Sequence, residues 1–583
     1  MKLREDIKVL LLLVRTSETA FLLFFSVLAG LGAGLGAIVF RDLITGFHAI
    51  FFDSGADLLD FLGPYHVILL PAAGGLLIGP VIHFLSKETR GTGIPEVIYA
   101  AMSLGGRIRP RIAAVKALVS SICIGSGGSA GREGPIVQIS SALASALGQS
   151  FKLSEEKTRV LVACGAAGGI AATFNAPLAG IFFSLEVILD DYNPRYFPPV
   201  VLASVAATVV SRHFLGDVPA FFTPTYQLLS PWELPFYFLF GFLAAFASLG
   251  FIVMFYRTED LFQSLRIPEY VKPALGGLLV GLIGVRFPQV FGVGYGEIEL
   301  VLHERMAAGL AIALFFAKAA ATSLTLGSGG SGGVFAPSLF LGAMLGHAYG
   351  AFTSFLWPAA AIAPGAAALV GMGAVFAGVA HAPVSAILFL FEMTGDYEII
   401  IPLMLACITS TVVVRRLHEE SIYHLKLIRR GHPLPEAREP DPMGVVPVSD
   451  AMLEQVTTLE EDIPVAQAAI SVRSAGHGGY PVVDRKGRLT GFVTAREIGA
   501  ALAEEKGGLP IWEIMTKEVV TCYPDESLRD ALKRMGQKGI GQVPVVERDD
   551  PLRLKGLVTR ENVVVAYNRA LHAREKDRFK GIE

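Results

Sequence analysis

The chain carries little charge for its length. Only 17% of its 583 residues are Asp, Glu, Lys or Arg, whereas a soluble protein has about 25%. The shortage is concentrated in residues 19–415, and charged residues are frequent from 416 onwards. We therefore predict a membrane part followed by a soluble part.

Cysteine is also scarce, and several enzyme signatures are missing. The four cysteines are widely spaced, with no CxxC pair: Cys123, Cys164, Cys407 and Cys522. This spacing argues against a disulfide framework and against a zinc site. HERMA (303–307) and HEESI (418–422) lack the second histidine of HExxH, and neither GSGGS segment continues into GK[ST]. With a net charge of −3 and no basic stripe, we expect no catalytic residues, no metal, no required cofactor and no nucleic-acid partner.

Uninterrupted apolar runs are few. Residues 20–40 and 234–256 are long enough to span a bilayer, but runs such as 68–82 are cut by glycine and proline. Residues 1–18 carry acids and precede no A-x-A-like cleavage site, so we expect a retained cytoplasmic N-terminal segment. Broken backbone at membrane depth is tolerated only where it is buried in protein or lines an aqueous cavity. The interruptions therefore predict a transport pathway.

The membrane part contains an internal repeat. KALVSSICIGSGGSAGREGP (116–135) matches KAAATSLTLGSGGSGGVFAP (318–337), with Lys116 and Lys318 separated by 202 residues. NAPLAGIFFSLE (175–186) matches HAPVSAILFLFE (381–392) at a similar offset. Matching glycine- and proline-interrupted segments in two halves are typical of transporters that are built from repeats.

Three of the broken segments have the composition of helix openings. GTGIPE (91–96), GREGP (131–135) and GGVFAP (332–337) combine glycine with proline in the first helical turn. Free N–H groups and the helix dipole at such openings bind anions without a full cation. A cation transporter would instead need several intramembrane carboxylates. Convergence of the three segments would form an anion site, and Glu133 is an intramembrane acid that would compete for it.

These motifs resemble the CLC chloride channel/transporter family. The matching stretches are GTGIPE, GSGGSAGREGPIVQ, NAPLAGIFFSLE, GGVFAP and ESIYHLKL (420–427). The resemblance implies an all-α polytopic membrane domain over 19–430, made of two inverted halves of tilted and broken helices (about 19–215 and 230–430). It also implies a homodimer with one pathway per subunit, in contact with membrane lipid.

The resemblance also implies roles for individual residues. Glu133 corresponds to the family's gating glutamate. The remaining anion-contacting positions lie at the helix openings and at one inner tyrosine: Thr92, Gly93, Ile94, Gly131, Arg132, Gly333, Val334, Phe335, Ala336 and Tyr423. Because Thr92 stands where the family usually has serine, chloride is the leading anion and other monovalent anions stay open.

One position bears on proton coupling. Proton-coupled members of the family carry a second glutamate after the NAPLAG segment, and here that position is Val187, with Glu186 one residue before it. Valine cannot relay a proton. This favours a passive chloride channel, and the proton-coupled Cl⁻/H⁺ antiporter of the same family remains the alternative.

The soluble part resembles a pair of CBS domains. After a polar linker (431–445) come two similar α+β units at 446–505 and 510–572, and a tail at 573–583. The resemblance implies two alternatives: a site for an adenine nucleotide, whose hydroxyl and polar positions would be Thr494, Glu497, Thr559 and Asn562, or a purely structural or dimerising module. The second stays open because neither TARE (494–497) nor TREN (559–562) carries the aspartate that usually follows the hydroxyl residue. Arginines near the last membrane helix predict that the CBS pair of this multi-pass cell-membrane protein lies in the cytoplasm.

Overall fold

The computed structural model describes residues 18–55, 60–217, 221, 223–224, 226, 230–358, 362–395, 397–432, 442–473 and 478–580. The chain divides into two compact units, Met1–Pro435 and Glu436–Glu583. Nearly all of the predicted N-terminal segment and most of the predicted linker (433–441) lie outside the described residues.

The regular secondary structure described in the first unit is helical, as the sequence predicts. The helices of its first half are α1 (Glu18–His48), α2 (His66–Leu85), α3 (Ile94–Ser103), α4 (Arg111–Gly125), α5 (Glu133–Ser150), α6 (Glu155–Phe174), α7 (Pro177–Phe183) and α8 (Phe197–Leu215). Those of the second half are α9 (Leu234–Ser264), α10 (Lys272–Arg286), α11 (Tyr295–Leu302), α12 (Ala308–Gly327), α13 (Phe335–Leu356), α14 (Pro364–Ala380), α15 (Pro383–Thr394), α16 (Ile400–Leu417) and α17 (Ile422–Arg429).

Helix lengths in this unit are uneven. Within the described residues, seven helical segments are long and apolar enough to cross a membrane. Others are much shorter, among them α3, α7, α11 and α17, because glycine and proline segments interrupt them. The predicted fold class, a polytopic helical membrane domain with many broken helices, is confirmed.

The two halves contact each other through backbone at α2 and α10. A side chain at Gly75 would lie 2.3 Å from the carbonyl oxygen of Pro273, and one at Gly277 would lie 2.1 Å from that of Pro71. Pro71 and Pro273 are 202 residues apart, as are Gly75 and Gly277. These reciprocal contacts indicate an approximate twofold axis between the halves, and only glycine permits them.

The second unit contains two similar hairpins, as predicted. In its first part, β1 (Leu459–Glu460) pairs in parallel with β2 (Gly479–Val483), which pairs antiparallel with β3 (Leu489–Thr494). In its second part, β4 (Gln542–Val546) pairs antiparallel with β5 (Leu554–Thr559). Both hairpins shift register at the end of a PVV sequence, at Val482/Val483 and at Val545/Val546.

Helices flank these strands. They are α18 (Pro442–Val445), α19 (Val465–Val472), α20 (Ala495–Ala503), α21 (Leu528–Lys538) and α22 (Arg560–Lys580). Each hairpin packs in its own apolar cluster, one including Val465 and Tyr480, the other including Cys522 and Val545. The last helix, α22, continues through residue 573, where the tail is predicted to start.

Candidate anion site

The predicted helix openings converge at the centre of the first unit. The amide of Gly131 donates to the carbonyl of Gly333 (2.7 Å), and the amide of Gly333 donates back to Gly131 (2.6 Å). The amide of Gly91 donates to the carbonyl of Gly330 (2.9 Å). These bonds join the turns before α3, α5 and α13, so the N-terminal ends of the three helices lie close together.

The two matched lysines of the repeat hold this backbone in place. Lys116 Nζ donates to the carbonyls of Thr89 (3.1 Å) and Gly91 (2.8 Å). Lys318 Nζ donates to those of Val290 (2.9 Å) and Gly292 (2.8 Å). Both lysines are fully buried. The lysines therefore have a structural role, in which each orients the turn before a short helix, α3 or α11.

Glu133 lies at the first position of α5, and its carboxylate reaches the opening of α13. One carboxylate oxygen accepts from the hydroxyl of Tyr295 (2.5 Å), and the other accepts from the amide of Ala336 (3.3 Å). The side chain is 0% exposed. A carboxylate in this position takes the backbone donors that an anion would otherwise use.

Five of the other residues that are predicted to contact the anion lie at two helix openings. Thr92, Gly93 and Ile94 form the opening of α3, and the opening of α13 begins at Val334 and Phe335. Gly93 has a φ of 84°, which a residue with a side chain would adopt only with strain.

The amides of Gly131 and Gly333 donate to each other's carbonyls, so in this conformation they are engaged within the protein. An anion contact of these two glycines stays a prediction. Arg132 lies with its guanidinium 5.1 Å from the ring centroid of Tyr295. Its guanidinium thus contacts an aromatic face.

Two of the residues that are predicted to contact the anion, Phe335 and Tyr423, have buried aromatic side chains. The ring of Phe335 packs on Phe376 (4.1 Å between centroids), Phe389 (4.8 Å) and Phe174 (5.6 Å). Tyr423, in the first turn of α17, is 1% exposed. Its hydroxyl has no hydrogen-bond partner among the described residues. Such a buried, unpaired donor fits a ligand that accepts hydrogen bonds.

The segment after NAPLAG ends in a π-helical turn, Ser184–Leu189, that contains both predicted inner residues. Val187 is 5% exposed. The carboxylate of Glu186 accepts from the amides of Val384 (3.1 Å) and Ser385 (2.7 Å), which open α15. In the other half, Glu392 accepts from the first amides of α7 in the same way. Glu186 thus caps a helix N-terminus.

Sequence reasoning missed Tyr295, the hydroxyl donor to Glu133. A signal for it exists: GVGYGE (292–297) aligns with GTGIPE (91–96) at an offset of 201 residues. Gly294 has a φ of 87° and precedes α11, just as Gly93 precedes α3. The repeat therefore supplies a fourth helix opening, in which Tyr295 occupies the position of Ile94.

In the second unit, only two of the four residues that are predicted to bind a nucleotide line the same cavity. Thr494 and Glu497 line a cavity of about 430 Å³, where they also form the reciprocal N-terminal cap of α20. Thr559 and Asn562 bond to each other in the same manner at the start of α22 (2.5 and 3.1 Å). These two are not among the residues that line this cavity.

Fold and site together define a multi-pass membrane protein of two related halves, with a carboxylate buried among helix N-termini. Residues 74–415 match the model of the voltage gated chloride channel family, and the chain belongs to this family. Residues 448–504 and 511–569 each match the CBS domain. The predicted family and domain types are confirmed, and the protein is a CLC-type anion-transport protein.

Known proteins of this family resemble the chain over much of its length. Chloride channel protein CLC-f of Arabidopsis thaliana is 28% identical, over 89% of this chain and 76% of its own. The H⁺/Cl⁻ exchange transporter ClcA of Vibrio cholerae is 32% identical, over 70% of this chain and 89% of its own. The crystal structure of a slow cyanobacterial Cl⁻/H⁺ antiporter superposes with a TM-score of 0.65 and 25% identity, covering 70% of this chain and 97% of the antiporter.

Proposed function

We propose that this protein exchanges chloride for protons along the path that contains Glu133. The observation that carries the proposal is the complete burial of the Glu133 carboxylate at the opening of α13. Phe335 and Tyr423, beside the same site, are each 1% exposed. A carboxylate in this place competes with an anion for the opening of α13. A cycle in which protonation releases the carboxylate links anion movement to protons.

Similar proteins support the exchange of chloride for protons. Two of the proteins described above are named as Cl⁻/H⁺ exchangers, one by sequence similarity and one by structure. The sequence favoured a passive channel because Val187 cannot carry a proton. Other titratable groups are nearby: Glu186 precedes Val187, and His381 precedes the helix that Glu186 caps. The buried Nε2 of His381 has no hydrogen-bond partner among the described residues.

A passive chloride conductance is the second candidate, and Val187 is the observation that favours it. Its side chain is buried and apolar at the position where proton-coupled members carry a glutamate. Under this alternative, Glu133 acts only as a gate.

Proton transport in vesicles distinguishes the two candidates. Purified protein is reconstituted in liposomes, a chloride gradient is imposed, and the internal pH and chloride are recorded together. We expect protons to move against their own gradient, driven by chloride. Chloride movement without any proton movement would instead establish the channel. We propose chloride as the principal ion, because Thr92 keeps the hydroxyl group of the serine that the family usually has at this position. Replacing chloride with nitrate in the same vesicles tests this anion preference.

Tyr295→Phe is expected to increase chloride turnover by about tenfold or more. The substitution removes one hydrogen bond to the Glu133 carboxylate, and a bond to a charged group contributes about 1.5 kcal/mol or more. The carboxylate then leaves its position more readily, provided that its departure limits the rate. Initial chloride efflux rates from matched vesicles measure the effect. Tyr270→Phe, at a half-exposed tyrosine outside the site, is the control; equal rates for both variants would contradict the role of Tyr295.

For the CBS unit, we propose binding of a neutral nucleoside in preference to a nucleotide. The cavity that includes Thr494 is also lined by Glu497 and Glu518, and no described lysine or arginine lines it. Two carboxylates accept ribose hydroxyls but repel phosphates. We expect calorimetry to detect adenosine binding, with AMP and ATP weaker by at least about tenfold, since each 1.4 kcal/mol of repulsion gives this factor. Equal or tighter binding of ATP would refute the preference.

We also propose a homodimer with the CBS unit in the cytoplasm. Exposed apolar side chains on the membrane helices, among them those of α8 (Val205, Val209) and α16 (Ile401, Ile408), suit contact with lipid and with a second copy of the chain. Basic residues at the ends of α16 and α17 support the cytoplasmic orientation.

A further inference from the structure

We propose that a cavity beside α3 and α17 binds a phosphate ester that carries hydroxyl groups. The cavity has a volume of about 480 Å³, which is within the range of small-molecule sites. It lies entirely in the first unit. Five cationic residues line it: Lys87, Arg90, Arg107, Arg109 and Arg430. Two acids, Glu88 and Glu96, also line it.

Most of these cations are weakly engaged. Arg107 pairs with Glu155 at 3.2 Å, and both side chains are about two-thirds exposed. Arg90 and Arg109 have longer contacts, 3.8 Å to Glu269 and 3.9 Å to Glu88. Ion pairs that are this exposed or this long contribute little to stability, so their arginines can turn to a ligand at small cost. A phosphate group, which accepts several charge-assisted hydrogen bonds, would compete successfully for them.

Three residues that line the cavity each carry one acceptor oxygen that no donor among the described residues satisfies. Glu88 Oε2, Glu96 Oε2 and Gln138 Oε1 are buried and have no hydrogen-bond partner among the described residues. Arg430 donates to the other oxygen of Glu96 (2.6 Å), which leaves Oε2 free. Buried acceptors of this kind normally receive a hydrogen bond from protein, water or ligand.

Together the two groups of residues specify the ligand's chemistry. Inorganic phosphate would leave the acceptors unpaired, whereas a neutral polyol would leave the cations unused. A phosphate ester with neighbouring hydroxyl groups satisfies both. Two sources supply this chemistry: a lipid headgroup such as that of phosphatidylglycerol, and a soluble ester such as glycerol 3-phosphate. The stacked rings of Tyr99 and His432 (4.3 Å between centroids) add an apolar side to the cavity.

A ligand here would act on anion transport through two helices. Glu96 is in the first turn of α3, directly after the Thr92–Ile94 opening, and Arg430 directly follows α17, which carries Tyr423. The Glu96–Arg430 contact joins these helices. A phosphate that draws Arg430 away from Glu96 would shift the spacing of the two helices, and so of both groups beside the anion site. This regulation requires anion transport but does not require proton coupling.

The test compares the double variant Lys87→Gln/Arg109→Gln with the control Arg111→Gln. Arg111 is an exposed arginine of the same RIRPR stretch, and it does not line the cavity. Chloride flux and the midpoint of thermal unfolding are measured in phosphatidylcholine vesicles. Three additions follow separately: phosphatidylglycerol, glycerol 3-phosphate and inorganic phosphate. We expect one of the two esters to raise the midpoint by several degrees and to change chloride flux at least twofold. The wild type and the control should respond, and the double variant should not.

The outcomes are separable. A response to the lipid alone identifies a headgroup site, and a response to glycerol 3-phosphate alone identifies a soluble ligand. The inference is overturned if neither ester acts, if inorganic phosphate acts as strongly, or if the double variant responds like the control. It is also overturned if the double substitution lowers flux without any ester effect in the wild type, because the cavity would then only admit chloride.

Discussion

Glu133→Gln is expected to abolish proton transport while chloride continues to cross the membrane. The amide has nearly the same shape as the carboxylate but cannot bind and release a proton at physiological pH. It also lacks the negative charge that competes with chloride at the opening of α13. Proton flux in liposomes should fall to the level of protein-free vesicles, and chloride flux should persist without coupling.

The control is Glu299→Gln, because Glu299 is a partly exposed glutamate of α11 that lies outside the anion site. This variant should retain wild-type coupling. Proton transport that survives in Glu133→Gln would contradict the role of Glu133 as the proton carrier. A wild type that moves no protons would refute the exchange itself, and the same substitution would then change chloride flux alone.

Lys318→Met is expected to destabilise the protein by about 3 kcal/mol or more. Lys318 is fully buried, and its ammonium group makes two hydrogen bonds to the carbonyls of Val290 and Gly292. Hydrogen bonds to a charged group contribute about 1.5–3 kcal/mol each, and methionine would leave both carbonyls unpaired. The midpoint of thermal unfolding in detergent should fall by roughly 3 °C or more, because the unfolding entropy of a unit of this size makes 1 kcal/mol worth about 1 °C.

Lys116→Met provides an internal replicate, because Lys116 makes the equivalent two bonds in the first half. Lys157→Met, at a partly exposed lysine of α6, should leave the midpoint within about 1 °C of the wild type. An unchanged midpoint in both buried-lysine variants would show that the turns before α3 and α11 keep their shape without the ammonium groups.

Some residues of the anion site could be predicted from the sequence, and others could not. Glu133 could be predicted because it is the acidic residue within one of two otherwise similar GSGGS helix openings. Tyr295 could not be predicted from its neighbours, since it meets Glu133 across 162 residues of chain. Gly131 and Gly333 share the composition of the anion-binding segments, yet their amides bond to each other. Composition identifies a helix opening but does not tell which of its amides face a ligand.

By itself, the sequence determined the membrane part, its two related halves, the broken helices and the pair of CBS domains. These features follow from local composition and from a repeat that is visible in one dimension. Only the tertiary structure decided which donors reach Glu133, that Glu186 and Glu392 cap helices of the opposite half, and that Thr494 but not Thr559 lines the CBS cavity. The physical reason is that each of these contacts depends on side-chain direction and on backbone approach between distant segments, which local pattern does not specify.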